Sequence, residues 1–96
     1  MNRFIYVLKL IKDYLTWRGS ECFTLKGLYL YYSSPYCDQR YSWSWVKQTI
    51  YELHKLGILR MFTKTYTYPT YKRRGVYCWT PKCDEILEKG RLELEK

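Results

Sequence analysis

Four stretches of the chain repeat apolar residues at intervals of three and four, the spacing that gives an α-helix one buried side. They predict helices over residues 3–17, 25–32, 43–56 and 81–94. A residue that favours an N-cap precedes each helix, in order Asn2, Thr24, Ser42 and Thr80. Gly19 and Gly57 stand where the first and third helices should end. The last helix begins at Pro81 and should continue through Gly90 to about Leu94.

Two runs rich in β-favouring residues, 58–66 and 75–80, lie between the third and fourth helices. They predict a β-hairpin whose long tip, residues 67–74, carries the basic cluster Lys72, Arg73 and Arg74. Residues 22–24 can form only a strand of two or three residues. The predicted order is helix, short strand, helix, turn, helix, hairpin, helix. This order is typical of a small α+β fold, and 96 residues are enough for one domain.

Charge is spread unevenly along these elements. The chain has 17 Lys and Arg residues against 9 Asp and Glu, a formal net charge of +8. The segment 58–82 contains no acid and is basic at Arg60, Lys64, Lys72, Arg73, Arg74 and Lys82. The segment 83–96 has more acids than bases. Aromatic residues make up 20% of the chain, with 12 tyrosines. Basic charge combined with tyrosine indicates a nucleic acid partner.

The exit of the third helix has the sequence Leu-Gly-Ile-Leu-Arg, which ends at Arg60 and leads into a strand. Together with the order of elements over about residues 3–80, it resembles the winged helix-turn-helix DNA-binding proteins. The resemblance implies a three-helix core, a short strand and a two-stranded β wing over residues 1–80. Residues 81–96 would add a C-terminal helix. The turn 33–41 is longer than is usual between two helices of this kind.

In that family the third helix enters the major groove and the wing contacts the minor groove or the backbone. The helical wheel agrees, because the face opposite Val46, Ile50 and Leu53 is polar and has no acidic cluster. Gln48 suits a bidentate contact with adenine. Trp45 lies beside this face, as a partner contact or as a cover for the turn. The candidate DNA-binding residues are Arg40, Tyr41, Ser42, Ser44, Trp45, Lys47, Gln48, Tyr51, Lys55, Lys72, Arg73 and Arg74.

The chain has four cysteines, and none is spaced like the close pairs of zinc sites, so no metal is expected. The resemblance implies that the first strand pairs with the last wing strand, which would place Cys22 next to Cys78. A disulfide there should stabilise the fold by roughly 3–4 kcal/mol. Cys37 and Cys83 are left to pair within the chain, to link two chains or to stay reduced. Cys83, in the first turn of a helix, is the better candidate for a reactive thiol.

The N-terminal stretch is amphipathic, unlike a signal peptide, and no apolar run reaches the roughly 20 residues of a membrane span. We therefore expect a cytoplasmic protein without membrane contact. Disulfides in that compartment are typical of hyperthermophilic archaea. Small, basic, tyrosine-rich winged-helix proteins with cysteines resemble regulators encoded by Sulfolobus-type archaeal viruses. A viral origin would place the chain in the host cytoplasm.

The expected function is sequence-specific binding of double-stranded DNA, with a role in transcription regulation. We expect a homodimer on a pseudo-palindromic site, formed through the last helix at Ile86, Leu87 and Leu94. In the alternative arrangement that helix folds back over its own core.

The alternative function is a protein–protein interaction module without DNA binding, through the aromatic residues Tyr29, Tyr31 and Trp45. No paired carboxylates, nucleophile–histidine pair or glycine-rich phosphate loop indicates an enzyme. No cofactor and no small-molecule substrate are expected, and a domain this small has little room for a ligand pocket.

Overall fold

Helices and strands follow one another in the order that the sequence predicts. The computed structural model describes residues 3–35, 37–66 and 72–90. Within these ranges the chain is an α+β domain with four helices and a three-stranded antiparallel sheet. The elements are α1 (Arg3–Arg18), β1 (Cys22–Thr24), α2 (Leu25–Tyr32), α3 (Trp43–Lys55), β2 (Arg60–Tyr66), β3 (Lys72–Cys78) and α4 (Pro81–Lys89).

One side of α1 forms the centre of the core. Its buried residues are Ile5, Val7, Leu8, Leu10, Ile11, Tyr14 and Leu15. The helix contacts α2, α3 and α4, and the buried residues of α3 include Val46, Ile50 and Leu53. These are the three inward positions that the sequence predicts. Full burial of an aliphatic side chain contributes about 1.5–3 kcal/mol, so this side of α1 dominates the packing.

Local signals place the ends of α2 and α3 correctly. The Thr24 hydroxyl accepts a hydrogen bond from the Gly27 N–H at 3.1 Å, and the Ser42 hydroxyl accepts one from the Trp45 N–H at 3.3 Å. Gly57 follows α3 with a φ of 78°, a left-handed conformation that suits glycine. The cap predicted at Asn2 lies outside the described residues.

The structure confirms that α4 begins at Pro81 directly after Thr80, but the role of the Thr80 hydroxyl and the end of the helix differ from the prediction. Thr80 precedes the helix, but its hydroxyl does not cap it and instead donates to the Ile58 carbonyl at 2.5 Å. The helix ends at Lys89, because Gly90 adopts a left-handed conformation with a φ of 71°. The prediction that the helix continues through Gly90 is therefore wrong, and Leu94 lies outside the described residues.

The apolar side of α4 covers the core of its own chain. Cys83 and Ile86 are buried, Leu87 is half-buried, and the helix contacts α1. This is the folded-back arrangement that the sequence left open. The described part of α4 therefore has little apolar surface left for a second copy.

The second strand of the hairpin begins three residues earlier than predicted, at Lys72, whereas the first begins two residues later than predicted, at Arg60. The sheet order is β1-β3-β2, and the β2–β3 register extends to the pairing of Tyr66 with Lys72. Arg73 and Arg74 also lie in β3, so the prediction that the basic cluster occupies the hairpin tip is wrong. Residues such as Thr65 and Tyr66 favour strands, and pairing with them lengthens the ladder of backbone hydrogen bonds. Residues 67–71 lie outside the described residues.

A disulfide joins Cys22 to Cys78, as the resemblance implied. The two residues lie directly opposite each other in the β1–β3 register, with their Cα atoms 4.1 Å apart. In the next register pair the rings of Phe23 and Tyr77 stack at 5.7 Å, and both side chains are buried. The bond therefore ties the segment between α1 and α2 to the hairpin.

No helix in the described ranges is long and apolar enough to cross a membrane.

Replacing both cysteines, Cys22→Ser with Cys78→Ser, should lower the free energy of unfolding by about 3–4 kcal/mol. The bond closes a sequence separation of 56 residues, and its loss frees the unfolded chain. The stacked Phe23 and Tyr77 should keep the fold intact. Urea unfolding followed by circular dichroism measures the change, with Cys37→Ser as the control. A double variant as stable as the wild type would contradict this expectation.

Candidate nucleic-acid interface

The outward face of α3 is polar, as its helical wheel predicts. Ser44, Gln48, Tyr51 and Lys55 are exposed, whereas Lys47 is half-buried. Gln48 and Lys55 lie seven residues apart, so they share one stripe of the helix. The structure therefore brings five of the candidate residues together on one surface, which we call the α3 face.

The single acid of α3 is engaged by a base from another helix. Glu52 forms an ion pair with Arg3 at the beginning of α1. Because this contact offsets the charge of the carboxylate, the remaining formal charge on α3 comes from Lys47 and Lys55. The α3 face is consequently cationic, which suits contact with phosphate.

An aromatic cluster of Tyr6, Tyr41 and Trp45 covers the start of α3. The Tyr41 and Trp45 rings stack with their centres 3.9 Å apart, and Tyr6 meets the edge of both. Burial is the main cause that raises the pKa of Tyr6, whose hydroxyl donates to the Asp38 carbonyl at 2.9 Å. The sequence left two roles open for Trp45, a partner contact or a cover for the turn between α2 and α3. This geometry favours the second role.

The hydroxyl of Tyr32 fixes the long turn between α2 and α3. It accepts a hydrogen bond from the Tyr41 N–H at 3.1 Å and donates one to the Tyr41 carbonyl. The Tyr32 side chain is buried. One side chain of α2 thus satisfies both backbone groups of a residue just before α3, which sets where the helix begins.

Two other candidates near this turn have partners within the chain. The Ser42 hydroxyl caps α3, where it accepts from the Trp45 N–H. Arg40 forms an exposed ion pair with Asp38 at 3.5 Å, and a pair of this kind contributes about 0–1 kcal/mol. Arg40 can exchange that contact for a phosphate at little cost, whereas the Ser42 hydroxyl is already engaged as the N-cap of α3.

The wing places cations opposite one another. The β2–β3 register pairs Lys64 with Arg74 and Thr65 with Arg73. Segment 58–82 contains no acid. The hairpin therefore concentrates basic residues, a composition that favours an anionic partner.

The aromatic residues of the alternative interaction surface pack into separate ring contacts. Tyr29 packs against Trp43, Tyr31 against Tyr14 and Trp17, and Trp45 against Tyr41. Each ring of the alternative set therefore belongs to a different aromatic contact.

Among the side chains that the structure describes, the most exposed large apolar ones are residues that the sequence did not single out. These are Trp17, 74% exposed, and Leu30, 61% exposed. Their positions in helical patterns gave no sign that they would lie outside the core.

The free cysteines differ from the sequence expectation. Cys83 is fully buried, and its thiol donates to the Ile58 carbonyl at 3.3 Å. Burial raises the pKa of this thiol, and hydrogen bonds from Thr80 offset the effect only in part. Cys83 is therefore poorly placed to react, and the expectation from the helix dipole is wrong. Cys37 is half-buried, and burial raises the pKa of its thiol as well.

Among the described residues no three His, Cys, Asp or Glu side chains lie together as metal ligands would. The ring of His54 packs edge-on against Tyr77, with centres 6.0 Å apart. This contact gives the histidine a packing role.

Comparisons with protein-family models, with curated proteins and with solved structures find no significant match for this chain.

Tyr32→Phe should lower the free energy of unfolding by about 1–3 kcal/mol, because the Tyr41 N–H and carbonyl lose their shared partner. Tyr29→Phe on the same helix is the control, since Tyr29 is exposed and its change should stay within about 0.5 kcal/mol. Urea unfolding of both variants measures the difference. Equal stability of Tyr32→Phe and the wild type would show that the turn is held in some other way.

Iodoacetamide should modify Cys37 first in the native protein at neutral pH and reach Cys83 only after unfolding. The half-buried Cys37 is accessible, whereas Cys83 is enclosed and its raised pKa keeps it protonated. Peptide mass spectrometry with and without urea identifies the modified residue. Native modification of Cys83 ahead of Cys37 would refute the placement of α4 over the core.

Proposed function

We propose that this chain is a winged-helix protein that binds double-stranded DNA and regulates transcription. The third helix, α3, would lie in the major groove, and the β2–β3 wing would lie on the minor groove or the backbone. The competing function is a protein–protein module, whose three candidate residues pack into separate ring contacts.

The observation that carries the proposal is the concentration of basic residues in the β2–β3 hairpin. Lys64 pairs with Arg74 in the β2–β3 register, and the surrounding segment has no acid. A run of basic residues without acids favours an anionic partner. Contact of these cations with a phosphate backbone gains affinity, because counterions leave the DNA as the cations approach.

The α3 face supports the same partner by different means. Gln48 is exposed in the middle of the helix and has an amide that can pair with adenine. Lys55 is exposed near the end of the helix and Lys47 is half-buried beside Gln48, where both suit phosphates. Arg3 forms an ion pair with Glu52, the only acid that α3 carries. Base readout and phosphate contact can therefore occur on one surface.

A homodimer stays a prediction. The described part of α4 turns its apolar side inward, so a dimer would need a different contact or residues 91–96. Sedimentation equilibrium of the free protein and of its DNA complex would distinguish one chain from two.

Arg73→Ala with Arg74→Ala should weaken binding to mixed duplex DNA and make it less sensitive to salt. The slope of log affinity against log salt should fall in magnitude by about 0.9 for each phosphate that the variant no longer neutralises. Gel shifts across a salt series measure both effects. The control is Lys9→Ala with Lys82→Ala, which removes the same charge from exposed positions on α1 and α4.

The control variant should bind nearly as the wild type does. If both double variants lose the same affinity, only net charge matters and the wing has no special role. If the wild type does not bind DNA even at low salt, the proposal fails, and pull-downs for a protein partner become the next step.

Gln48→Ala should relax the preference for one base pair by about 1–3 kcal/mol while the salt slope stays unchanged. An amide that reads a base edge carries no charge, so its loss affects specificity alone. Selection and sequencing of bound duplexes measures the preference, with Gln39→Ala, an exposed loop glutamine, as the control. An unchanged base preference would remove Gln48 from the readout.

A further inference from the structure

An apolar groove lies between α1 and α2, on residues that the DNA-binding proposal does not use. Its volume is about 860 Å³, and it is lined mainly by Tyr14, Trp17, Leu30 and Tyr31, with Arg18 and Gly27. This volume lies within the roughly 300–1,000 Å³ that is usual for small-molecule sites. The small size of the domain predicts little room for a ligand pocket, so the groove departs from that prediction.

Three aromatic rings form a continuous wall of the groove. The ring centre of Tyr31 lies 5.1 Å from that of Tyr14 and 5.7 Å from that of Trp17. Trp17 and Leu30 are the most exposed large apolar side chains of the described residues. Exposed apolar surface concentrated in one place is a mark of a binding site. Aromatic side chains favour a planar aromatic ligand, which can stack against them.

Gly27 allows the two helices to approach closely at the floor of the groove. A Cβ atom at this position would lie 2.6 Å from the Tyr14 hydroxyl oxygen and 3.4 Å from Nη1 of Arg18. Any side chain here would therefore displace Tyr14 or fill the floor. Glycine inside a helix costs about 1 kcal/mol relative to alanine, and the close approach explains why this residue fits here.

Arg18 supplies a cation at the edge of the aromatic wall. Its Nη1 donates to the Tyr14 hydroxyl at 2.9 Å, which orients the guanidinium. Among the described residues, the ion pairs that form do not include Arg18. Burial raises the pKa of Tyr31, with a smaller contribution from Asp13, so the tyrosine remains neutral. A guanidinium that is oriented but not ion-paired suits a carboxylate or sulfonate.

We propose that the groove between α1 and α2 binds a small planar aromatic anion, such as an aryl carboxylate or aryl sulfonate. The ring of the ligand lies against Trp17 and Tyr31, and its anionic group meets Arg18. The site is separate from the α3 face and the wing, so this inference does not depend on DNA binding.

Two fluorescent probes with the same ring system test the proposal. Anilinonaphthalene sulfonate carries the anion, and phenylnaphthylamine lacks it. The wild type should bind one sulfonate per chain in a saturable manner and should bind the neutral probe more weakly. A ¹H–¹⁵N correlation titration should shift the signals of Trp17, Gly27 and Leu30.

Variants separate the two parts of the site. Arg18→Gln should lower the affinity for the sulfonate by about tenfold and leave the affinity for the neutral probe unchanged. Lys9→Gln, which removes an exposed cation from the same helix, should change neither affinity. Trp17→Ala should lower the affinity for both probes. Because Trp17 is exposed, this variant should still fold.

Three results would overturn the proposal. The first is equal affinity of Arg18→Gln and the wild type for the sulfonate. The second is binding without saturation, which indicates nonspecific adsorption. The third is a concentration-dependent dimer that Trp17→Ala dissociates, because a second copy would then occupy the groove.

Discussion

The buried side of α1 is the constraint on which the other elements depend. Val7, Leu8 and Ile11 are fully buried, and the helix contacts α2, α3 and α4. Burial of aliphatic surface favours contact without fixing angles or register. The orientation of α3 and of the hairpin must therefore come from more specific interactions. Two such interactions are present among the described residues, a pair of hydrogen bonds and a disulfide.

The first interaction is made by Tyr32, whose hydroxyl satisfies both backbone groups of Tyr41 and so sets the start of α3. The second is the disulfide between Cys22 and Cys78, which fixes β3 against β1. The Tyr32 contact positions the α3 face, and the disulfide positions the β2–β3 hairpin. Both involve residues of the segment between α1 and α3, so the two proposed DNA contacts are attached to the same segment.

Sequence reasoning predicted the elements whose signals are local. The spacing of apolar residues and the glycine at position 57 were sufficient for α3, and the α+β fold is confirmed. Sequence reasoning failed where the local structure depends on contacts with residues that are distant in the sequence. Thr80 bonds to Ile58 rather than to its own helix, and strand pairing draws Arg73 and Arg74 into β3. The groove could not be foreseen, because the spacing of Trp17 and Leu30 does not show which side of each helix stays open.

The central claim is that α3 and the wing together form a DNA-binding surface, and nuclear magnetic resonance mapping with a short duplex tests it most directly. On addition of DNA at low salt, the backbone amide signals of Ser44, Gln48 and Lys55 and of strands β2 and β3 should shift together. Those of α4, around Cys83 and Ile86, should stay in place. Shifts confined to the α1–α2 groove, or no shifts at all, would contradict the account.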